Sequence, residues 1–163
     1  MKINYLWLIL TLLLITGCSS VKINRKEKIS RYFVMAEAID SRVGKKRNIK
    51  NIPNSQELRN IKYTAKRLDK VRKILRRPVI VTSWYRSRKL NRAVGGSRTS
   101  AHCDGLAVDI LLKRGKYGWR EFQNIKKKMK SFDQLIYYPR RGHLHIGFRQ
   151  NKYKERREVK VWK

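Results

Sequence analysis

Between Asn54 and Leu75, apolar residues return every three or four positions, at Leu58, Ile61, Ala65, Leu68, Val71, Ile74 and Leu75. That period predicts an amphipathic helix. Asn54 with Glu57 three residues on supplies a capping-box start, and Pro78 stops the helix. The Lys and Arg residues of this stretch fall largely between the apolar positions, as on a solvated helix face. Val79–Thr82 is a β-branched run that reads as a buried strand, and Leu106–Leu112 reads as a second strand with a charge, Asp109, inside it. Between them, Ser87 to Val94 suits a helical turn closed by Gly95 and Gly96. Trp119, Phe122, Ile125 and Met129 mark another helix; Gln134–Tyr138 and Leu144–Phe148 are strand candidates separated by Pro139-Arg140-Arg141-Gly142. Ahead of the long helix, Ile29 to Ile39, with apolar residues at Phe33, Val34, Ala36, Ala38 and Ile39, is expected to be a short element packed on the core, followed by a basic loop, Gly44 to Asn51, that ends at Pro53. The second half is therefore expected to be strand-rich and antiparallel. The basic tail, with Val159 and Val161 alternating, leaves an edge strand and a disordered arm both open.

The first residues follow a different pattern: Lys2, an apolar stretch from Tyr5 to Ile15, then Thr16-Gly17-Cys18-Ser19-Ser20. This is the layout of a signal peptide, and the stretch is shorter than the roughly 20 residues a spanning helix needs. Ile15-Thr16-Gly17-Cys18 resembles the bacterial lipobox, which implies acylation of Cys18 as the new N-terminus. An uncleaved anchor or a plain secretory signal are the alternatives. All three place the folded part outside the cytoplasm, and export argues against chromosomal DNA as a partner.

A length of 163 residues favours one domain. With 42 Lys and Arg against 11 Asp and Glu, the formal net charge is +31, which predicts attraction to polyanions: an anionic lipid surface, a wall polymer or nucleic acid. Nucleic acid is the weakest of these, because no reader motif is present and Trp84, Tyr85, Tyr137 and Tyr138 are more economically core or cleft residues. Apolar residues interleaved with the charges exclude a disordered polycation, and two cysteines exclude a disulfide-stapled mini-protein.

All three histidines fall in two clusters, Ser100-Ala101-His102-Cys103-Asp104-Gly105-Leu106-Ala107-Val108-Asp109 and His143-Leu144-His145, whose last residue is 36 positions after Asp109. Imidazole and carboxylate are the donors of catalytic zinc, three from protein with a fourth position open. On a strand, His143 and His145 project to one face, so that one can bind metal while the other reaches water or substrate. The order Thr82-Ser83-Trp84-Tyr85-Arg86, Leu90-Asn91, Val94-Gly95-Gly96-Ser97, Ser-x-His-x-x-Gly-x-Ala-x-Asp, Phe132-Asp133-Gln134-Leu135-Ile136 and His-Ile-Gly-Phe resembles the zinc D-alanyl-D-alanine peptidase family M15, especially its short phage and bacterial branch.

The resemblance implies an α+β fold, a small antiparallel sheet flanked by helices, shared with lysostaphin-type peptidases and the Hedgehog domain. It implies zinc on His102, Asp109 and His145, with Arg86 polarising the scissile carbonyl and Ser100 contacting substrate. Peptidoglycan stem peptides would be the substrate, cut at D-Ala-type amides. The implied domain plan is a signal peptide at 1–17, a lipidated N-terminus and linker at 18–28, the peptidase domain at 29–150 and a basic tail at 151–163. One departure stands out: many relatives carry Glu or Asp three residues before the last ligand, and here that position is Gly142. His143 is the first candidate for the base, because imidazoles as a class titrate near neutrality, and Asp133 is the second. Cys103 is expected to be a packed free thiol. A catalytically silent zinc module binding wall peptide or another polyanion is the alternative function.

Overall fold

The structure is a computed structural model and describes residues 22–162, so the apolar run and Cys18 lie outside the described residues. The long helix forms as α3 (Ser55–Leu75). The Asn54 side chain accepts from the Glu57 amide and the Glu57 carboxylate accepts from the Asn54 amide, which satisfies two otherwise orphaned donors. At its other end Arg76 takes a left-handed conformation, φ 54°, two residues ahead of Pro78. Short helices α1 (Met35–Ile39) and α2 (Arg42–Lys46) precede it, α4 (Arg88–Ala93) follows the first strand, and α5 (Gly115–Lys128) follows the second.

Five strands make one sheet: β1 (Ile80–Ser83), β2 (Ala107–Leu111), β3 (Gln134–Tyr138), β4 (His143–Gly147) and β5 (Glu158–Val161), in the order β1-β2-β4-β3-β5. The pleat divides it into two faces. Val108, Ile110, Leu135, Tyr137, Leu144 and Ile146 are buried in one core with Ile61, Ala65, Leu68 and Val71 of α3 and Phe122 and Ile125 of α5. Asp109, His143, His145, Ile136 and Tyr138 alternate with these and line a cleft. Register aligns Ser83, Asp109, His145, Ile136 and Lys160 as one row across the sheet.

The α+β class is as expected, with three differences in detail. First, the sheet is mixed: β5 pairs parallel to β3, so the tail belongs to the fold as an edge strand. A parallel pairing needs the chain to return between the two strands: β4 brings it back antiparallel to β3, and residues 149–157 carry it past β3 to the far edge. Asp133 accepts from Arg149 Nε (2.6 Å), from the Arg156 amide (3.1 Å) and from Arg156 Nη2 (2.7 Å), while Glu155 pairs with the buried Arg67 at 3.0 Å. Second, residues 22–28, expected as linker, lie on the fold. Ile23 packs against the core, the Met35 amide donates to the Glu27 carbonyl, and the Glu27 carboxylate pairs with Lys62 of α3. Third, β1, expected as a buried strand, is an edge strand whose Ile80 is 55% exposed, because that residue lies on the sheet side away from the helices and nothing among the described residues pairs beyond the strand.

Burial alone would raise the pKa of Asp133, but the hydrogen bonds from Arg156 and Arg149 outweigh it and hold the carboxyl below its ordinary value. A depressed folded pKa gives stability that is complete above the unfolded value, about 3.9, and is lost as pH falls through the folded one. Asp133→Asn is therefore expected to destabilise the protein by about 1–2 kcal/mol near pH 7, allowing for the half-exposed guanidinium partners. Urea unfolding of both proteins should show this gap constant above pH 5 and closing in acid; a gap unchanged at the acid end would remove the ion pair as its cause.

Candidate metal centre

Three side chains from three separate segments meet on the open face. His145 comes from β4 and Asp109 from the facing position of β2. His102 comes from a 3₁₀ turn, Ala101–Asp104, rather than from an extended segment. Helix α3 fixes that turn in place: Asn60 Nδ2 donates to the Asp104 carbonyl at 2.7 Å and Thr64 Oγ1 to the Gly105 carbonyl at 2.9 Å. Gly105 closes the turn at φ 72°, and a Cβ there would lie 2.9 Å from the Glu57 carbonyl and from Ile61 Cγ1, so both the backbone and the close approach require glycine.

The donor atoms converge. His102 Nε2 lies 3.2 Å from His145 Nδ1 and 3.3 Å from Asp109 Oδ1, and His145 Nδ1 lies 2.9 Å from Asp109 Oδ1. Zinc bonds of about 2.0–2.1 Å in tetrahedral geometry would separate ligand atoms by about 3.3 Å, close to the spacing here. His102 Nδ1–H donates to the Trp84 carbonyl at 2.6 Å, which leaves the Nε2 lone pair for a metal. Burial, first of all, lowers the pKa of His102, favouring the neutral ring that a metal needs. Burial would raise the pKa of Asp109, but His102 and His145 together hold it well below the usual carboxylate range. The set is two nitrogens and one carboxylate at the wall of a cleft of about 1130 Å³. It fits a divalent metal with one side open.

Residues 29–147 match the family model for peptidase M15. The chain belongs to the peptidase M15 family. No curated protein matches it. M15 proteins are zinc peptidases, and the donor set of this M15 chain is compatible with that metal.

The remaining residues singled out from sequence are distributed around this centre. Arg86 lines the cleft, but its Nη2 donates to Asp109 Oδ2 at 2.6 Å and its Nε to Ser83 Oγ at 2.8 Å, so its guanidinium is engaged in holding a donor carboxylate. Ser100 lines the cleft just before the 3₁₀ turn, and its side chain makes no capping bond. His143 shares the face of His145 and sits opposite Leu111 and Tyr138. Asp133 lines the cleft too, yet both its oxygens are taken by Arg149 and Arg156. Cys103 is buried and burial pushes its thiol pKa up, as a packing role implies. Sequence reasoning missed the supports: the Trp84 carbonyl carries no residue-type signal, and Ser83 was visible only as part of a motif.

Zinc content after dialysis should be one equivalent in the wild type and near zero in His102→Ala, Asp109→Ala and His145→Ala. Arg86→Ala should bind zinc about 10- to 100-fold more weakly, the usual cost of losing a group that orients a ligand. Titration against a chelator measures both. Unchanged affinity in Arg86→Ala would show that the Arg86–Asp109 contact does not support the centre.

Proposed function

We propose that this M15 chain hydrolyses D-Ala-type amide bonds in peptidoglycan stem peptides, as a zinc-dependent carboxypeptidase or endopeptidase outside the cytoplasm. The convergence of His102, Asp109 and His145 at 2.9–3.3 Å on an open cleft carries the reading. Zinc in such a site supplies Lewis-acid activation of water and of a scissile carbonyl. Within the chain, Asp109 and the two histidines would hold the metal, and Arg86 keeps Asp109 oriented while presenting a fixed positive charge to the cleft. Ser100 offers a hydroxyl to the substrate backbone. Acylation of Cys18 would tether the enzyme to a membrane beside its substrate, and the cationic surface suits anionic wall polymer or lipid.

Proton transfer is assigned to His143. With Gly142 in place of a carboxylate, the acidic side chains on the cleft among the described residues are Asp104, Asp109 and Asp133. Asp109 is a metal donor, Asp133 is doubly bound by arginines, and Asp104 pairs with Arg88 at 3.5 Å. His143 is a strand neighbour of His145 on the same face and, among the described residues, is engaged in no ion pair, so its imidazole is placed to take a proton from the attacking water and return it to the leaving amine.

Mass analysis of muropeptides incubated with the zinc-loaded protein should show either loss of a terminal D-Ala or opening of cross-links. His143→Ala should keep its zinc and lose roughly 10²- to 10⁴-fold in rate, the range of general acid–base catalysis. Asp133→Asn should stay within a few-fold of wild type. Near-wild-type turnover in His143→Ala would remove it from the mechanism, and no hydrolysis by the zinc-loaded wild type on any wall peptide would favour the silent binding module.

A further inference from the structure

Helices α3 and α5 lie side by side on the sheet face opposite the cleft, and their outward sides carry almost one sign of charge. On α3, Lys66, Lys70 and Lys73 recur at i, i+4 and i+7, turned away from the buried stripe of Ile61, Ala65 and Leu68. On α5, Lys116, Arg120 and Lys127 make the corresponding stripe. Lys70, Lys128 and Lys130 also line a groove of about 300 Å³ between the helices, with Arg67 and Ser131.

A solvated helix face ordinarily interleaves acids with bases, because like charges at i, i+4 repel. Among the described residues, none of these lysines, nor Arg120, forms an ion pair within 4.0 Å. The carboxylates nearest in sequence are engaged elsewhere: Asp69 accepts from Ser30 and Arg31, Glu121 pairs with Arg77, and Asp133 pairs with Arg149 and Arg156; Glu155, farther along the chain, pairs with Arg67. The face therefore carries a repulsion that only an external anion relieves.

We propose that this outward face of α3 and α5 docks on an anionic phospholipid bilayer. Two further features favour a bilayer over a soluble polymer. Tyr117 and Trp119 flank the α5 stripe at 54% and 44% exposure, an amphipathic aromatic pair of the kind that settles at headgroup depth. The chain also enters the fold along α3: Glu27 pairs with Lys62, the Ser30 hydroxyl and Arg31 amide donate to Asp69, and Arg72 lies 4.5 Å over the Tyr32 ring. Seven positions separate Lys22, where the described chain starts, from Ile15 at the end of the apolar run, a reach of at most about 25 Å. Docked this way the cleft faces away from the lipid, a consequence for substrate access that rests on the peptidase reading.

The test is co-sedimentation of the full chain with vesicles of phosphatidylcholine alone or mixed with phosphatidylglycerol. It compares wild type, a helix-face variant (Lys66→Gln, Lys70→Gln, Lys127→Gln, Lys128→Gln) and a control of equal charge loss elsewhere (Lys46→Gln, Lys50→Gln, Lys89→Gln, Arg92→Gln). All eight positions are exposed, and circular dichroism checks that each variant is folded. The wild type should prefer anionic vesicles by at least about tenfold near 0.1 M salt and lose the preference near 1 M. The helix-face variant should lose it at low salt while the control keeps most of it. Equal losses in the two variants would reduce the effect to net charge and overturn the proposal. So would soluble polyphosphate that binds the same lysines while anionic vesicles show no advantage. Hydrolysis of a soluble wall peptide, measured without vesicles, should be the same in wild type and helix-face variant, so a failure of docking and a failure of the peptidase reading are read separately.

Discussion

A carboxylate inside a central strand is the constraint around which the rest is arranged. Asp109 sits between β1 and β4 in a half-buried row, where an unpaired charge would cost several kcal/mol. Its compensation comes from three directions: His145 across one strand gap, Arg86 from the loop after β1, and His102 from a turn delivered by α3. Two of those positions have further support of their own, His102 in the Trp84 carbonyl and the Asn60 and Thr64 bonds to its turn, and Arg86 in the Ser83 hydroxyl, while His145 is set by the β2–β4 register. The grouping that would hold a metal is thus also the grouping that makes Asp109 tolerable.

The two faces of the sheet divide the work. One is apolar and closed by α3 and α5; the other is left open and polar, and the alternation of strand side chains keeps them separate with no dedicated domain for either. Because the core side is a single layer of helices, the outward helix surface is free to carry a charge distribution unrelated to the chemistry of the cleft. A net charge of +31 reads in the sequence as one property. In space it separates into cleft arginines such as Arg86, Arg149 and Arg156, which are tied to carboxylates, and outward helix lysines such as Lys66, Lys70 and Lys127, which form no ion pair among the described residues.

Much of this was legible in the residues. The 3.6 period of α3 and its capping box are local signals, and the period of two in His143-Leu144-His145 was enough to place both imidazoles on one face. Features set by distant partners were not. The 3₁₀ turn around His102 owes its shape to hydrogen bonds from α3, more than 35 residues earlier in the chain. The parallel pairing of β5 depends on two arginines closing on Asp133, and four residues of alternating sequence do not disclose strand direction. Arg86 was picked from 42 basic residues by its motif, but its bond to Asp109 spans 23 positions and follows from the β1–β2 register.

That register has a consequence for how the protein comes to be competent. The donors arrive from residues 102, 109 and 145, and the last two are direct partners across β2 and β4. A slip of one residue in either strand turns its whole set of side chains over, sending Leu144 and Ile146 to the open face and the imidazoles toward the helices. A sheet slipped by one residue in this way cannot gather all three donors. Correct strand pairing and the gathering of the donor set are accordingly one event in the folding of this chain, and a site able to hold a metal exists only once β2 and β4 are in register.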